Sequence, residues 1–369
     1  MPRLFGREYS ACELNARIGR PEQIGGIREF EFSDGRAKGM RAFEIRSGAG
    51  LSVTCVADRA LDVCAAEFRG IPLVWHGPGG LASPEYYQPR GDDFARNFFG
   101  GLFTTCGLAS FGPPGHDVYG SFGMHGRINH LPAEELCART VWEDERCFFE
   151  IVGIVSEAQM FGENLRLERR LRVELGSNAL ELRDVVTNEG GTRTPHMLLY
   201  HCNMGFPLLD EHAELSISQA AMQPRDDEAK RGLPVWNRGG EPDPTFAEQV
   251  FIHEPIAGTD GLAHAVMLNR SLDDGRGIAL SIAFNPAQLP ALFTWRMLGV
   301  KTYVMGIEPA NCPTIAGRVE AGKIGTLPFL EPGESRVYEL RFDALGGKAD
   351  IEQALARTGH GNGTALTTL

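Results

Sequence analysis

The sequence predicts an all-β protein built as a large antiparallel β-sandwich. Three observations carry this: apolar and polar residues alternate with a period of two, 45 Gly and 22 Pro punctuate the alternating runs, and helical periodicity is nearly absent. The clearest run sets Leu165, Leu167, Leu171, Val173 and Leu175 against Arg166, Glu168, Arg170, Arg172 and Glu174. Side chains alternate across a strand, so this segment has one dry and one wet face, as antiparallel sheets do. Phe43 and Ile45 lead through Ser47-Gly48-Ala49-Gly50 to Leu51, Val53 and Cys55, a predicted hairpin. Phe149, Ile151 and Val155 form a further run, followed by Leu180 and Leu182. A second hairpin joins Ala265 and Met267 to Ile278, Leu280, Ile282 and Phe284 through Asp273-Asp274-Gly275-Arg276, because Asp-Gly suits a tight turn. The last strand, 337–342, follows a Glu331-Pro332-Gly333-Glu334 turn, and only 350–356 reads as a short helix. Segment 224–244 is rich in charge, Gly and Pro, and is expected to be a long surface loop rather than a domain boundary. Residues 1–369 are therefore expected to form one continuous β domain, with a frayed tail from about Gly359.

Composition narrows the partners. Hydrophobic residues make up 43% and charged residues 23%, the mixture of a globular protein. A net charge of −12 repels phosphate backbones and anionic lipid, so neither nucleic acid nor a membrane surface is an expected partner, and a small molecule is. The N-terminal residues lack the apolar core of a secretory signal, and no apolar stretch approaches the length of a membrane span. The eight cysteines include no Cys-x-x-Cys pair, which favours free thiols in a reducing cytoplasm. Association into oligomers is left open by the sequence.

Four stretches gather polar and aromatic residues where plain alternation would be expected: 57–62 with Asp58 and Arg59; 120–129 with His125 and Arg127; 199–207 with Tyr200, His201 and Asn203; and Trp295-Arg296 with Tyr303 to Asn311, which includes Glu308. Each alone has a structural reading. A histidine ending an apolar run is more often a hydrogen-bonded core residue, Gly123 and Gly126 can simply form a tight turn, and Asp58-Arg59 can close a strand end as an ion pair. Ten histidines are present, but no His-x-His or His-Glu-x-x-His spacing signals a metal site, and Gly-x-Ser-x-Gly is absent.

Taken together and in order, Met124-His125-Gly126, Tyr200-His201-Cys202-Asn203, Gly306-Ile307-Glu308-Pro309 and the closing Leu330-Glu331-Pro332-Gly333-Glu334 resemble the aldose 1-epimerase (galactose mutarotase-like) superfamily, in its divergent branch with a domain of formerly unknown function. The resemblance spans roughly residues 40–345 and implies the family's supersandwich fold. It also implies a cofactor-independent isomerase acting on a small-molecule sugar, with His201 as general acid, Glu308 as general base and His125 holding the sugar's oxygens. Arg59, Arg127, Asn203, Trp295 and Tyr303 are the expected substrate contacts, Arg127 being preferred among the arginines. No counterpart of the family's early Asn-Arg pair or of its mid-chain sugar-binding Asp is found in the sequence. An acid of pKa ~6.5 facing a base of pKa ~4.3 would suit ring opening, which removes one oxygen-bound proton and delivers another. Two alternatives share the scaffold: abstraction of a carbon-bound proton from a keto- or acidic sugar, and sugar binding without catalysis.

Overall fold

Strand alternation is realised as three large antiparallel sheets and three two-stranded ones in the computed structural model, which describes residues 1–359. The largest sheet has eight strands in the order Glu134–Glu143, Arg146–Ala158, Asn164–Glu174, Ala179–Asn188, Ser335–Gly346, Ile278–Phe284, Ala263–Asn269 and Ala213–Ile217. A six-stranded sheet runs Gln219–Pro224, Gln249–Pro255, Ala291–Leu298, Tyr303–Ala310, Leu199–Gly205 and Thr104–Cys106. A five-stranded sheet of Gly26–Glu31, Arg41–Arg46, Leu51–Val56, Asp62–Phe68 and Ile71–Pro72 completes the frame.

Both predicted hairpins form: Ala42 to Arg46 pair with Ser52 to Val56, and Ala263 to Asn269 pair with Ile278 to Phe284. The C-terminal helix is Lys348–Arg357, slightly longer than predicted. The expected loop 224–244 instead contains the helix Asp227–Gly232, started by the Asp226 side chain accepting from Ala229 N–H at 2.9 Å. Further short helices at Ala11–Asn15 and Arg318–Ile324 were not predicted either, because five to seven residues carry too little periodicity to stand out. Beyond Gly359 the expected frayed tail lies outside the described residues.

The main core fills the space between the sheets. Leu165, Leu167, Leu171 and Val173 are almost wholly buried in it together with Ile151, Leu182, Tyr200, Met305 and Ile307. Each such side chain contributes roughly 1.5–3 kcal/mol of burial before entropy is counted. Arg169 occupies the same dry face, directly paired with Asp184. Its guanidinium donates to Asp184 at 2.7 and 2.9 Å and to Asp62 Oδ1 at 2.7 Å. Thr105 Oγ1 and Ala60 O accept from it as well, and the Tyr200 hydroxyl donates to Asp184. Burial works against the Arg169 charge, but Asp184 and Asp62 outweigh it and raise its pKa. This network ties all three large sheets at one point.

The strand Leu199–Gly205 is buried on both faces. Tyr200, Cys202 and Met204 point into the main core, whereas Leu199 belongs to a second, smaller core with Phe94, Phe111, Phe293 and Ala310. That second face of the six-stranded sheet carries the site.

Candidate active site

Parity decides which predicted residues can meet. In Tyr303–Ala310, Met305 and Ile307 join the main core, so Gly306 and Glu308 point to the opposite face. Cys202 pairs with Ile307 across the neighbouring strand, which sets His201 opposite Glu308. The result is a His201 Nε2 to Glu308 Oε1 distance of 3.3 Å, with both side chains almost fully buried. The contact is close but unaligned. Glu308 Oε1 and His201 Nδ1 are shielded from solvent and have no hydrogen-bond partner. Unpartnered buried polar atoms are uncommon, and here one sits on each member of a neighbouring acid and base.

Gly306 is what makes the pair possible. A Cβ there would lie 2.5 Å from Glu308 Oε1, 3.1 Å from Trp295 Cβ and 3.4 Å from His201 Cε1. Gly306→Ala is therefore expected to push the carboxyl away from the imidazole and to lower catalytic turnover by about 100-fold, with substrate affinity less affected; steady-state kinetics checks this. The sequence shows Gly306 in the motif but not this purpose.

Burial overturns the expected protonation states. It pushes the Glu308 carboxyl up to about 8, with the nearby Glu248 charge adding to the effect. It lowers His201 to about 3, helped by His125. At neutral pH Glu308 is thus protonated beside a neutral His201 imidazole, not the ionised pair expected from unperturbed values.

Aromatic rings wall the pair. Phe98, Trp295 and His125 lie 4.8, 5.5 and 5.8 Å from the His201 ring, and Trp75 packs on Phe98 and Trp295. Trp295 is where the sequence places it, on the site face, and its indole N–H donates to Glu248 Oε2 at 3.0 Å. Glu248 Oε1 accepts from Arg225, which also donates to Asp226. Glu248 and Arg225, half and one-third exposed, form the solvent-side rim. Sequence reasoning missed both: Arg225 lies inside the 224–244 segment and Glu248 just beyond it, and neither belongs to a recognisable pattern.

His125 is brought to the site by a left-handed turn (φ +58°). Its backbone N–H donates to Gly112 O, its carbonyl accepts from Gly107 N–H, and burial lowers its pKa to about 4. The Asn203 side chain donates to His201 O at 2.6 Å and Gly101 O at 3.3 Å, so it braces the histidine's strand, with Oδ1 left unpartnered.

Three expected substrate contacts are placed elsewhere. Tyr303 is five residues from Glu308, an odd number, so it points to the other face, and its hydroxyl donates to Gly240 O. Arg59 is fully buried, with its donors on the carbonyls of Asn129, Ala82 and Asn97. Arg127 is exposed near Tyr87 and His130 and contacts neither His201 nor Glu308. Asp58 binds Arg41, not Arg59. Arg296 donates to Gln249 and Arg238 O. Among the described residues no three His, Cys, Asp or Glu side chains are grouped to hold a metal ion, and no helix is long and apolar enough to cross a membrane. All eight cysteines are free.

Comparison with known proteins bears on the family and the fold. Residues 37–344 match the family model described as a domain of unknown function, DUF4432. A Klebsiella pneumoniae protein provisionally named an aldose 1-epimerase is 26% identical, with a TM-score of 0.84 over 93% of this chain and 90% of its own. A galactose 1-epimerase from Lactobacillus acidophilus shares the fold at 15% identity (TM-score 0.55, 88% of this chain and 100% of its own). So does a galactose mutarotase-like protein from Clostridium acetobutylicum at 14% (TM-score 0.57, 88% and 99%). A search of curated proteins finds no match.

Proposed function

The chain belongs to the DUF4432 family, on a galactose mutarotase-like sandwich, and from its site we propose that it is a cofactor-independent sugar mutarotase in which His201 and Glu308 open and reclose the hemiacetal ring. The observation that carries this reading is the pair itself: a carboxyl and an imidazole 3.3 Å apart, each with a buried, unpartnered atom.

Ring opening takes a proton from the anomeric hydroxyl and gives one to the ring oxygen; ring closure on the other face reverses both transfers. The net proton count of the site never changes, which suits a buried pair that holds one proton. Sugar hydroxyls entering the site restore polar partners to the carboxylate and the imidazolium. The proton then passes from Glu308 to His201, leaving Glu308 as base and His201 as acid. Glu308 receives the anomeric proton while His201 protonates the ring oxygen. His125 and Glu248 hold flanking hydroxyls, and Trp295 offers its ring as a flat apolar wall. Arg225 already has two carboxylate partners, so the rim favours a neutral sugar over a phosphorylated or carboxylated one. The test is saturation exchange between the α and β anomers of neutral and acidic sugars with added protein. Acceleration of a neutral sugar supports the proposal; no acceleration across the panel removes it.

The pH profile gives a second check. Activity needs one proton on the pair, so kcat/KM is expected to hold level through neutrality and to fall as pH rises through about 8, where Glu308 loses its proton. With unperturbed groups the fall would centre near ~6.5.

A further inference from the structure

Residues 78–98 leave the sheet and return almost to their starting point. Backbone closes the neck: Gly77 N–H donates to Phe99 O at 2.9 Å, and His76 bridges Gly100. Just inside the neck, Arg59 lies across both ends of this strap. Nη1 donates to Ala82 O at 2.8 Å and Nη2 to Asn97 O at 3.1 Å, while Nε donates to Asn129 O. Ala82 and Asn97 are buried, whereas Glu85, Tyr86 and residues 88–92 between them are exposed. No carboxylate pairs with Arg59 among the described residues; its guanidinium meets carbonyls, His130 Nε2 and the Phe99 ring. A buried cation without a counter-ion is costly, and an apolar side chain could fill the same space more favourably. What offsets that cost here is the grip on three carbonyls, those of Ala82, Asn97 and Asn129.

The strap's inner side bears on the site. Phe98 packs on His201 at 4.8 Å and Phe94 on His125 at 4.9 Å. Its tip is held by Tyr87, whose hydroxyl donates to Gly126 O and whose ring stacks on His130 at 3.6 Å, and by Met124 N–H donating to Gly91 O. Phe98 also lies 6.4 Å from the Trp295 ring, so this end of the strap covers the pair, whose Glu308 Oε1 and His201 Nδ1 are shielded from solvent. The closed arrangement also leaves Asn97 Oδ1, His130 Nδ1 and both amide atoms of Asn129 without partners, on residues that touch the same guanidinium. Such a neck is poised to rearrange.

We infer that Arg59 is a positioning residue that anchors the hinge of a substrate-admitting strap, residues 78–98, which closes Phe98 and Phe94 onto His201 and His125. This rests on His201 and Glu308 being the reacting pair, but the strap's motion is measurable without any activity.

Hydrogen exchange of the whole protein, read by mass spectrometry, tests it. Amides within 84–96 are expected to exchange about 100-fold faster than those of Thr104–Cys106 and Leu199–Gly205, through local opening. Arg59→Met is expected to speed strap exchange by about tenfold more and leave both strands unchanged. The same variant should lower kcat about tenfold, with Arg59→Lys recovering part of the loss. Strap exchange as slow as that of the strands in the unmodified protein would overturn the inference. So would Arg59→Met loosening strap and strands alike, or leaving the strap unaffected. If Arg59→Met does not fold, the unmodified protein and Arg59→Lys carry the test. A strap that opens as stated in a protein that turns over no sugar would leave the hinge standing and remove only the proposed reaction.

Discussion

Glu308→Gln is expected to lower kcat/KM for anomer interconversion by about 10²–10⁴-fold, the range in which a positioned acid–base group acts. The substitution keeps the shape of a side chain enclosed by Trp295, His201 and Gly306, so the loss reports chemistry rather than packing. Stability should move the other way. In the folded protein burial raises the Glu308 pKa from 4.5 to about 8, so the stability linked to its protonation is complete below the unfolded value and is lost as pH rises through about 8. The glutamine variant lacks that loss. Its melting temperature relative to the parent protein is expected to climb from about pH 5 to about pH 8 and to level off above that, a comparison within reach of ordinary thermal scans. A residue that destabilises the fold while enabling catalysis is what a trade-off between stability and activity produces.

The second large effect concerns the frame. Arg169→Met is expected to cost about 3–5 kcal/mol of stability, because it leaves Asp62 and Asp184 buried without their cation. Burial already pushes the Asp62 carboxyl above the ordinary range, and Arg169 is the first of the groups holding it down. Chemical denaturation at pH 7 measures the loss. Replacing Arg169, Asp62 and Asp184 together with apolar residues should recover much of it, since the penalty comes from stranded charge rather than from missing attraction. The Tyr200 hydroxyl would then lack its acceptor, so a residual deficit is expected unless Tyr200→Phe is added.

The same network shows where sequence reading succeeds and where it stops. Alternation placed the strands and both hairpins correctly because period two is a local property of a half-buried sheet. The run from Leu165 to Leu175 also contained a signal that went unused: Arg169 falls on the dry parity, and Asp184 does so in the next strand. Two opposite charges at inward positions foretell a buried pair. For the site, the structure brings together four residues that motif order singled out, His201, Glu308 and Trp295 on three neighbouring strands and His125 on a turn beside them. Tyr303 failed on a count of residues that the sequence does offer, because its distance from Glu308 is odd. Arg59 failed for a different reason. Its partners are backbone carbonyls on Ala82, Asn97 and Asn129, and no residue type advertises a carbonyl's position. Glu248 and Arg225 were hidden for the same kind of reason, since pairing across a fold is not periodic. The protonation states also required coordinates, because burial, which the sequence does not give, moves Glu308 and His201 in opposite directions.

In the proposed reaction His201 and Glu308 move only oxygen-bound protons of a sugar. The most direct measurement is proton NMR of the reacting sugar in heavy water with catalytic amounts of the protein. Anomeric exchange should quicken in a Glu308-dependent way while every carbon-bound proton keeps its full signal. Loss of a carbon-bound signal at a rate set by the protein would contradict the claim and point to carbon-acid chemistry on the same pair.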